Sequence, residues 1–283
     1  MRGLSLLVTG AVLGSALLHA VWNAMAKSVK DHLVGFAALE LAAGAVCLAL
    51  LPVVPAPARA AWPYLAASAV LHVAYATFLL QSYRVGDLNQ VYPIARGTAP
   101  MVVAVLAVPF AHEHLGAFQL AGVLAVGVGL VSLADVRAWR ATGRPPALVF
   151  AFTTGLLIAA YSVVDGLGVR RSGNAMGYAV WLILAEAFPI PLYALVFHRD
   201  RTRAAWSTTW ARAGAGGMLS FLAYAIVLWA QTRGSLAAVA ALRETGVIAA
   251  AVIGTLFFGE RFGRRRIVAA ALVAAGVALI KGT

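Results

Sequence analysis

The chain has 283 residues, 62% of them hydrophobic and 11% charged, and a net charge of +12. A soluble domain carries about 25% charged residues, so a water-soluble globule is excluded and the chain reads as an all-α polytopic membrane protein. Its positive charge lies between apolar runs and not on a folded basic domain, which excludes nucleic acid as a partner and points to the lipid bilayer.

Ten apolar stretches run near 4–27, 33–54, 62–84, 89–111, 115–135, 147–168, 175–197, 211–232, 235–258 and 265–281. A bilayer-spanning helix needs roughly 17–25 residues. The stretches lack the alternation of barrel strands, so they predict ten transmembrane helices. The first follows Arg2, is too long for a signal-peptide core and is expected to be retained. His19, Trp22, Asn23 and Lys27 share one face of it, suited to a cavity wall or to helix–helix hydrogen bonds. The second stretch holds Glu40 and the single cysteine, Cys47, which allows neither an internal disulfide nor a cysteine metal site. The third holds His72. The fourth contains "VYPIARGTAP", with Tyr92 one turn before Arg96 and prolines at 93 and 100 that can free backbone carbonyls. Glu113 follows in the turn "AHEH", where it is expected to cap the next helix.

The linker "DVRAWRATGRPP" is polar and basic and ends in two prolines. It divides the chain into 1–134, a linker at 135–146, and 147–283. The sixth stretch repeats the polar face of the first with Tyr161 and Asp165. The seventh holds Glu186, and the ninth contains "ALRETGVIAA" with Arg243 and Glu244.

Shifting the chain by 147 residues superposes Arg96 on Arg243, Thr98 on Thr245, Glu113 on Glu260, Gly116 on Gly263 and Gly129 on Gly276. Nine of 38 ungapped positions are identical, and these five are not the apolar residues that chance supplies. Five crossings start the second half on the opposite side of the membrane, so two inverted five-helix repeats are predicted. Such repeats place a substrate site at their interface near the midplane.

A charge at the centre of a membrane helix costs at least ~2.5 kcal/mol. Arg96 and Arg243 therefore read as paired guanidiniums for a carboxylate or phosphate. The competing reading is structural, with Arg243 paired to Glu244 or Glu186 and Arg96 bound to freed carbonyls. Neighbouring residues on a helix diverge by about 100°, so Glu244 is not expected to reach Arg243 within one helix. Glu40, Asp165, Glu186, His72 and Glu244 are candidates for proton coupling or ion pairing.

The segments "RGTAPMVVAVLAVPFAHEHLGAFQLAGVLAVGVGLVSL" and "RETGVIAAAVIGTLFFGERFGRRRIVAAALVAAGVALI" resemble the EamA-type branch of the drug/metabolite transporter superfamily. The second keeps the family's Gly-Glu turn in "FFGERFG"; the first replaces it with His112-Glu113. The resemblance covers essentially the whole chain. It implies ten helices in two halves and transport of a small organic metabolite. It also implies, by analogy with phosphate-ester exchangers of similar fold, an anion held by basic residues on the fourth and ninth spans. The first-span glutamate of the small multidrug-resistance relatives has no counterpart here. Loop charge puts both termini outside, with six Lys/Arg on the terminal side against fourteen on the other; the family is usually drawn with both termini in the cytoplasm.

The expectation is a secondary active transporter, an exporter or exchanger, in the cell (inner) membrane. Its substrate is a small anionic or zwitterionic metabolite moved by alternating access, without cofactor or metal, by a monomer or homodimer. The candidate binding residues are Arg96, Arg243, Tyr92, His19, Trp22, Asn23 and Tyr161. One alternative is a proton-coupled exporter of cationic drugs, in which the carboxylates face the cavity. A membrane-embedded enzyme would need an Asp-x-x-Asp or His-x-x-x-x-Asp cluster, which no stretch contains. No Gly-x-x-x-x-Gly-Lys loop for ATP appears either.

Overall fold

The computed structural model describes residues 4–27, 31–85, 88–134, 145–258 and 263–281. Most of the linker and the turn with Glu260 lie outside them. The described residues form α1 (Leu6–Lys27), α2 (His32–Leu50), α3 (Trp62–Val85), α4 (Leu88–Ala111), α5 (Ala117–Val131), α6 (Pro145–Arg171), α7 (Ala175–Glu186), α8 (Pro189–Phe197), α9 (Arg199–Gln231), α10 (Leu236–Arg243), α11 (Gly246–Phe258) and α12 (Arg264–Lys281). A 3₁₀ turn at Arg59–Ala61 leads into α3, and the described residues contain no strand.

Seven stretches among them are long and apolar enough to cross a membrane, against the ten expected. The physical reasons are local. The α5 helix is only 15 residues long, and α12 opens on three arginines. The ninth stretch is broken into α10, of 8 residues, and α11, of 13. The seventh is also two helices, α7 and α8. Pro189 stands at the start of α8, where its missing N–H costs nothing. The eighth begins earlier than expected, at Arg199, because no glycine or proline interrupts the polar run before Gly214. Pro145 and Pro146 open α6 instead of closing a linker. The α4 helix runs unbroken through Pro93, Pro100 and Pro109.

Extensive pairings join α4 with α6, α5 with α12, α3 with α6, α9 with α1 and α2, α4 with α5, and α1 with α10 and α11. Exchanging the halves at the linker turns α4–α6 into the α1–α10/α11 pairing, turns α3–α6 into α9–α1, and leaves α5–α12 unchanged. The α5–α12 crossing is possible only with glycine on both sides. A Cβ on Gly122 would lie 2.6 Å from the Gly276 carbonyl oxygen, and a Cβ on Gly276 2.6 Å from that of Gly122. The α4–α5 turn holds the one non-glycine residue with positive φ among those described, His112 at 51°. The Glu113 N–H donates back six residues, to the Ala107 carbonyl at 3.1 Å, and a left-handed residue just past a helix end favours glycine at the position of His112. The position 147 residues on in the sequence is Gly259.

Candidate functional site

The break between α10 and α11 makes the site. The α10 helix ends at Arg243, and Glu244 caps it with φ −71° and ψ −10°. The chain turns there, and two side chains that a continuous helix would splay are brought together. Arg243 Nε donates to Glu244 Oε1 at 3.3 Å, the pairing of the structural reading, between neighbours that a continuous helix makes a poor pair. Arg96, from α4, reaches the same carboxylate, with Nε 3.1 Å from Oε2 as an ion pair and an NH1 hydrogen bond to Oε1 at 3.4 Å. Among the described residues, the partners of Arg96 are thus side chains and not the carbonyls that the structural reading placed near Pro93 and Pro100. Glu244 is wholly buried, and both arginines are only 5% exposed.

The flanking residues converge on this triad. Another Arg96 nitrogen meets His19 Nε2, and the Trp22 indole N–H points at His19 Nδ1 from 3.2 Å. The Tyr92 ring lies 5.5 Å from the Arg96 guanidinium carbon, and Tyr161 lies 6.0 Å from that of Arg243. Ser162 accepts from Arg243 at 3.5 Å. It went unnoticed in the sequence because a serine inside an apolar helix ordinarily bonds its own backbone, and Ser162 does that too, to the Ile158 carbonyl. Asn23 does not join the cluster: its amide donates to the His19 carbonyl at 2.7 Å, closing its own helix.

The cluster has more donors than acceptors. Two guanidiniums, with five N–H groups each, face one carboxylate. A neutral imidazole has one acceptor nitrogen, yet both nitrogens of His19 face donors. One positive charge is left uncompensated within the triad.

The remaining acids form a second group. Glu186, expected as a partner of Arg243, instead lies 3.0 Å from His72 Nδ1. The same nitrogen is 3.0 Å from the Ser68 carbonyl oxygen. His72 stacks on Tyr161 at 3.9 Å. Asp165 is wholly buried and accepts from Tyr178 at 3.0 Å and from Tyr224. Glu40 and Glu186 line a cleft of about 100 Å³ together with His72 and Tyr75.

Glu113 was expected to cap α5. That helix begins instead at Gly116 with no side-chain cap. Glu113 accepts from the Leu236 N–H through both oxygens, at 3.0 and 2.8 Å, and from Arg170 at 2.7 Å. It therefore caps α10, in the other half of the chain, where the first N–H groups lack helical partners. Arg170 also donates to the carbonyls of Gln231 and Gly234 at 2.9 and 2.8 Å. No group of three His, Cys, Asp or Glu residues that could hold a metal ion occurs among the described residues.

None of the curated proteins matches the chain. A solved crystal structure, described only as that of a protein, superposes with a TM-score of 0.73 at 17% identity, covering 99% of this chain and 98% of its own. At that identity the likeness concerns the fold alone. Residues 145–282 match the model of the EamA-like transporter family. The second half of this multi-pass membrane protein is a domain of that family.

Proposed function

We propose that the chain is a secondary transporter of a small organic anion or zwitterion, with Arg96 and Arg243 binding the acidic group. The observation that carries this reading is the triad itself, in which two buried guanidiniums share one carboxylate. An incoming carboxylate or phosphate supplies the missing negative charge. Tyr92, Tyr161, His19 and Trp22 form the walls. The protein crosses the inner membrane ten times as two inverted five-helix units, 1–134 and 147–283. The exchange-related helix pairings and the 147-residue repeat support this arrangement, which puts the triad at the interface of the units, where rocking exposes it to each side in turn.

The test is anion binding and vesicle uptake by purified protein across a panel of carboxylates and phosphate esters. Arg96→Gln and Arg243→Gln should each weaken binding roughly tenfold to hundredfold, the value of a charge-assisted hydrogen bond of about 1.5–3 kcal/mol. Unchanged affinity in both variants sinks the reading. The runner-up, export of cationic drugs, draws on Glu40 and Glu186 in the cleft. It predicts that these two acids, and neither arginine, set the affinity.

A further inference from the structure

The cleft beside the triad is lined from three directions: Glu40 from α2, His72 and Tyr75 from α3, and Glu186 at the end of α7. Its rim is apolar, formed by residues such as Phe36, Leu79 and Ile190. Among the described residues, no lysine or arginine lines it. Glu40 Oε2 is buried and has no hydrogen-bond partner among the described residues. Glu186 Oε1 lies 3.0 Å from His72 Nδ1, a nitrogen that is also 3.0 Å from the Ser68 carbonyl oxygen. Two carboxylates, an aromatic face and no resident cation are the chemistry of an ammonium site.

The cleft is one ring away from the arginines. His72 stacks on Tyr161 at 3.9 Å, Tyr75 meets the Tyr161 edge at 5.6 Å, and Tyr161 lies 6.0 Å from the Arg243 guanidinium carbon. A site short of positive charge and a site short of negative charge thus share a single aromatic wall. The cleft volume is below the ~150 Å³ of a protein cavity that takes benzene. It accommodates a small head group and not a polycyclic cation, which argues against the drug-export alternative.

We infer that this cleft is a subsite for a small ammonium group, filled by the cationic end of a substrate whose acidic end reaches Arg96 and Arg243. The inference rests on the anion-binding reading of the arginines and narrows it: the preferred substrate carries both charges, separated by roughly the width of the Tyr161 ring.

The experiment uses the full-length protein in lipid nanodiscs. It compares ω-amino carboxylates, from glycine to 6-aminohexanoate, with the carboxylates of equal length that lack the amine. At one or more lengths the amino compound should bind at least tenfold tighter. Glu40→Gln and Glu186→Gln should each erase most of that preference while leaving carboxylate affinity within twofold. Arg96→Gln should weaken both series. Because a buried acid can matter for folding, Glu40→Asp is included, and it should keep part of the preference. The subsite is overturned if no length favours the amine, or if the preference survives in both glutamine variants. If carboxylates bind with no dependence on either arginine, the anion reading fails instead, and methylammonium alone, competed between wild type and Glu40→Gln, then reports whether the cleft holds a cation by itself. Failure of both series and of methylammonium to bind overturns both readings.

Discussion

Glu244 is the residue on which the triad depends. It is the shared partner of Arg96 and Arg243, and it has no exposure to solvent. Glu244→Gln leaves two buried guanidiniums facing each other without a counter-charge, and removing one partner from such a cluster costs about 3–5 kcal/mol. A clear fall in Tm is expected for the detergent-purified variant, with partial recovery in added phosphate, since an anion substitutes for the lost charge. A second prediction concerns His112. Its φ of 51° is a left-handed conformation that costs a side chain about 1 kcal/mol or more. His112→Gly should raise stability by about 0.5–1 kcal/mol, allowing for the entropy that glycine loses on folding; an unchanged or lower Tm contradicts the strain. At this scale much was legible. The 147-residue repeat paired the two arginines, and the departure from the Gly-Glu turn marked His112. The Arg243–Glu244 contact stood only as the competing reading, because a sequence read as one helix of period 3.6 hides the place where the helix stops.

At the scale of elements, the breaks matter more than the helices. The α7/α8 break carries its own signal in Pro189 and Pro191. The α10/α11 break carries almost none: Glu244 and Thr245 stand between two apolar runs, and the glycine that follows opens the next helix. Gly246 is there because its Cα lies close to α1, where a Cβ would come 2.8 Å from the Ala16 carbonyl oxygen. The Glu113 clamp was misread for a different reason. A capping residue is sought within a few positions of its helix, whereas Leu236 is 123 residues away. Glu113→Ala removes the acceptor of the Leu236 N–H and the carboxylate on Arg170, and leaves α10 with Ser235, which accepts from the Ala238 N–H, as its remaining N-cap. The loss of a cap alone costs about 1 kcal/mol. Amide exchange over 236–239 should accelerate several-fold in this variant while exchange in the middle of α5 stays unchanged. Equal acceleration in both helices would mean general unfolding and not a lost cap.

For the whole molecule, composition established the membrane class at once, and the apolar runs located most of the helices. Seven stretches meet the length and apolarity of a span, against ten expected, because a span can be short, broken, or tipped with arginines and still read as apolar over part of its length. What holds the two halves to each other was only hinted at by the glycine clusters. At the α5–α12 crossing the backbones of Gly122 and Gly276 touch. Gly276→Ala places a methyl group 2.6 Å from a carbonyl oxygen, and such overpacking costs about 1–3 kcal/mol. The variant should unfold at lower temperature, and a control at Gly14, where a Cβ meets nothing within 4 Å, should not.

The α10 helix is a short strut with a fixed bearing at each end. Its first residue hangs from Glu113, and its last is Arg243. Eight residues at 1.5 Å each give a rod of roughly 12 Å, too short to bend and too regular to stretch. A shift of Arg243 along that axis is expected to move the Leu236 N–H with it, where a displacement of about 1 Å is enough to break a hydrogen bond. Because Glu113 also holds Arg170, the load passes on to α6. The helix that presents one half of the triad is in this way a push-rod between the middle of the protein and a turn at its end.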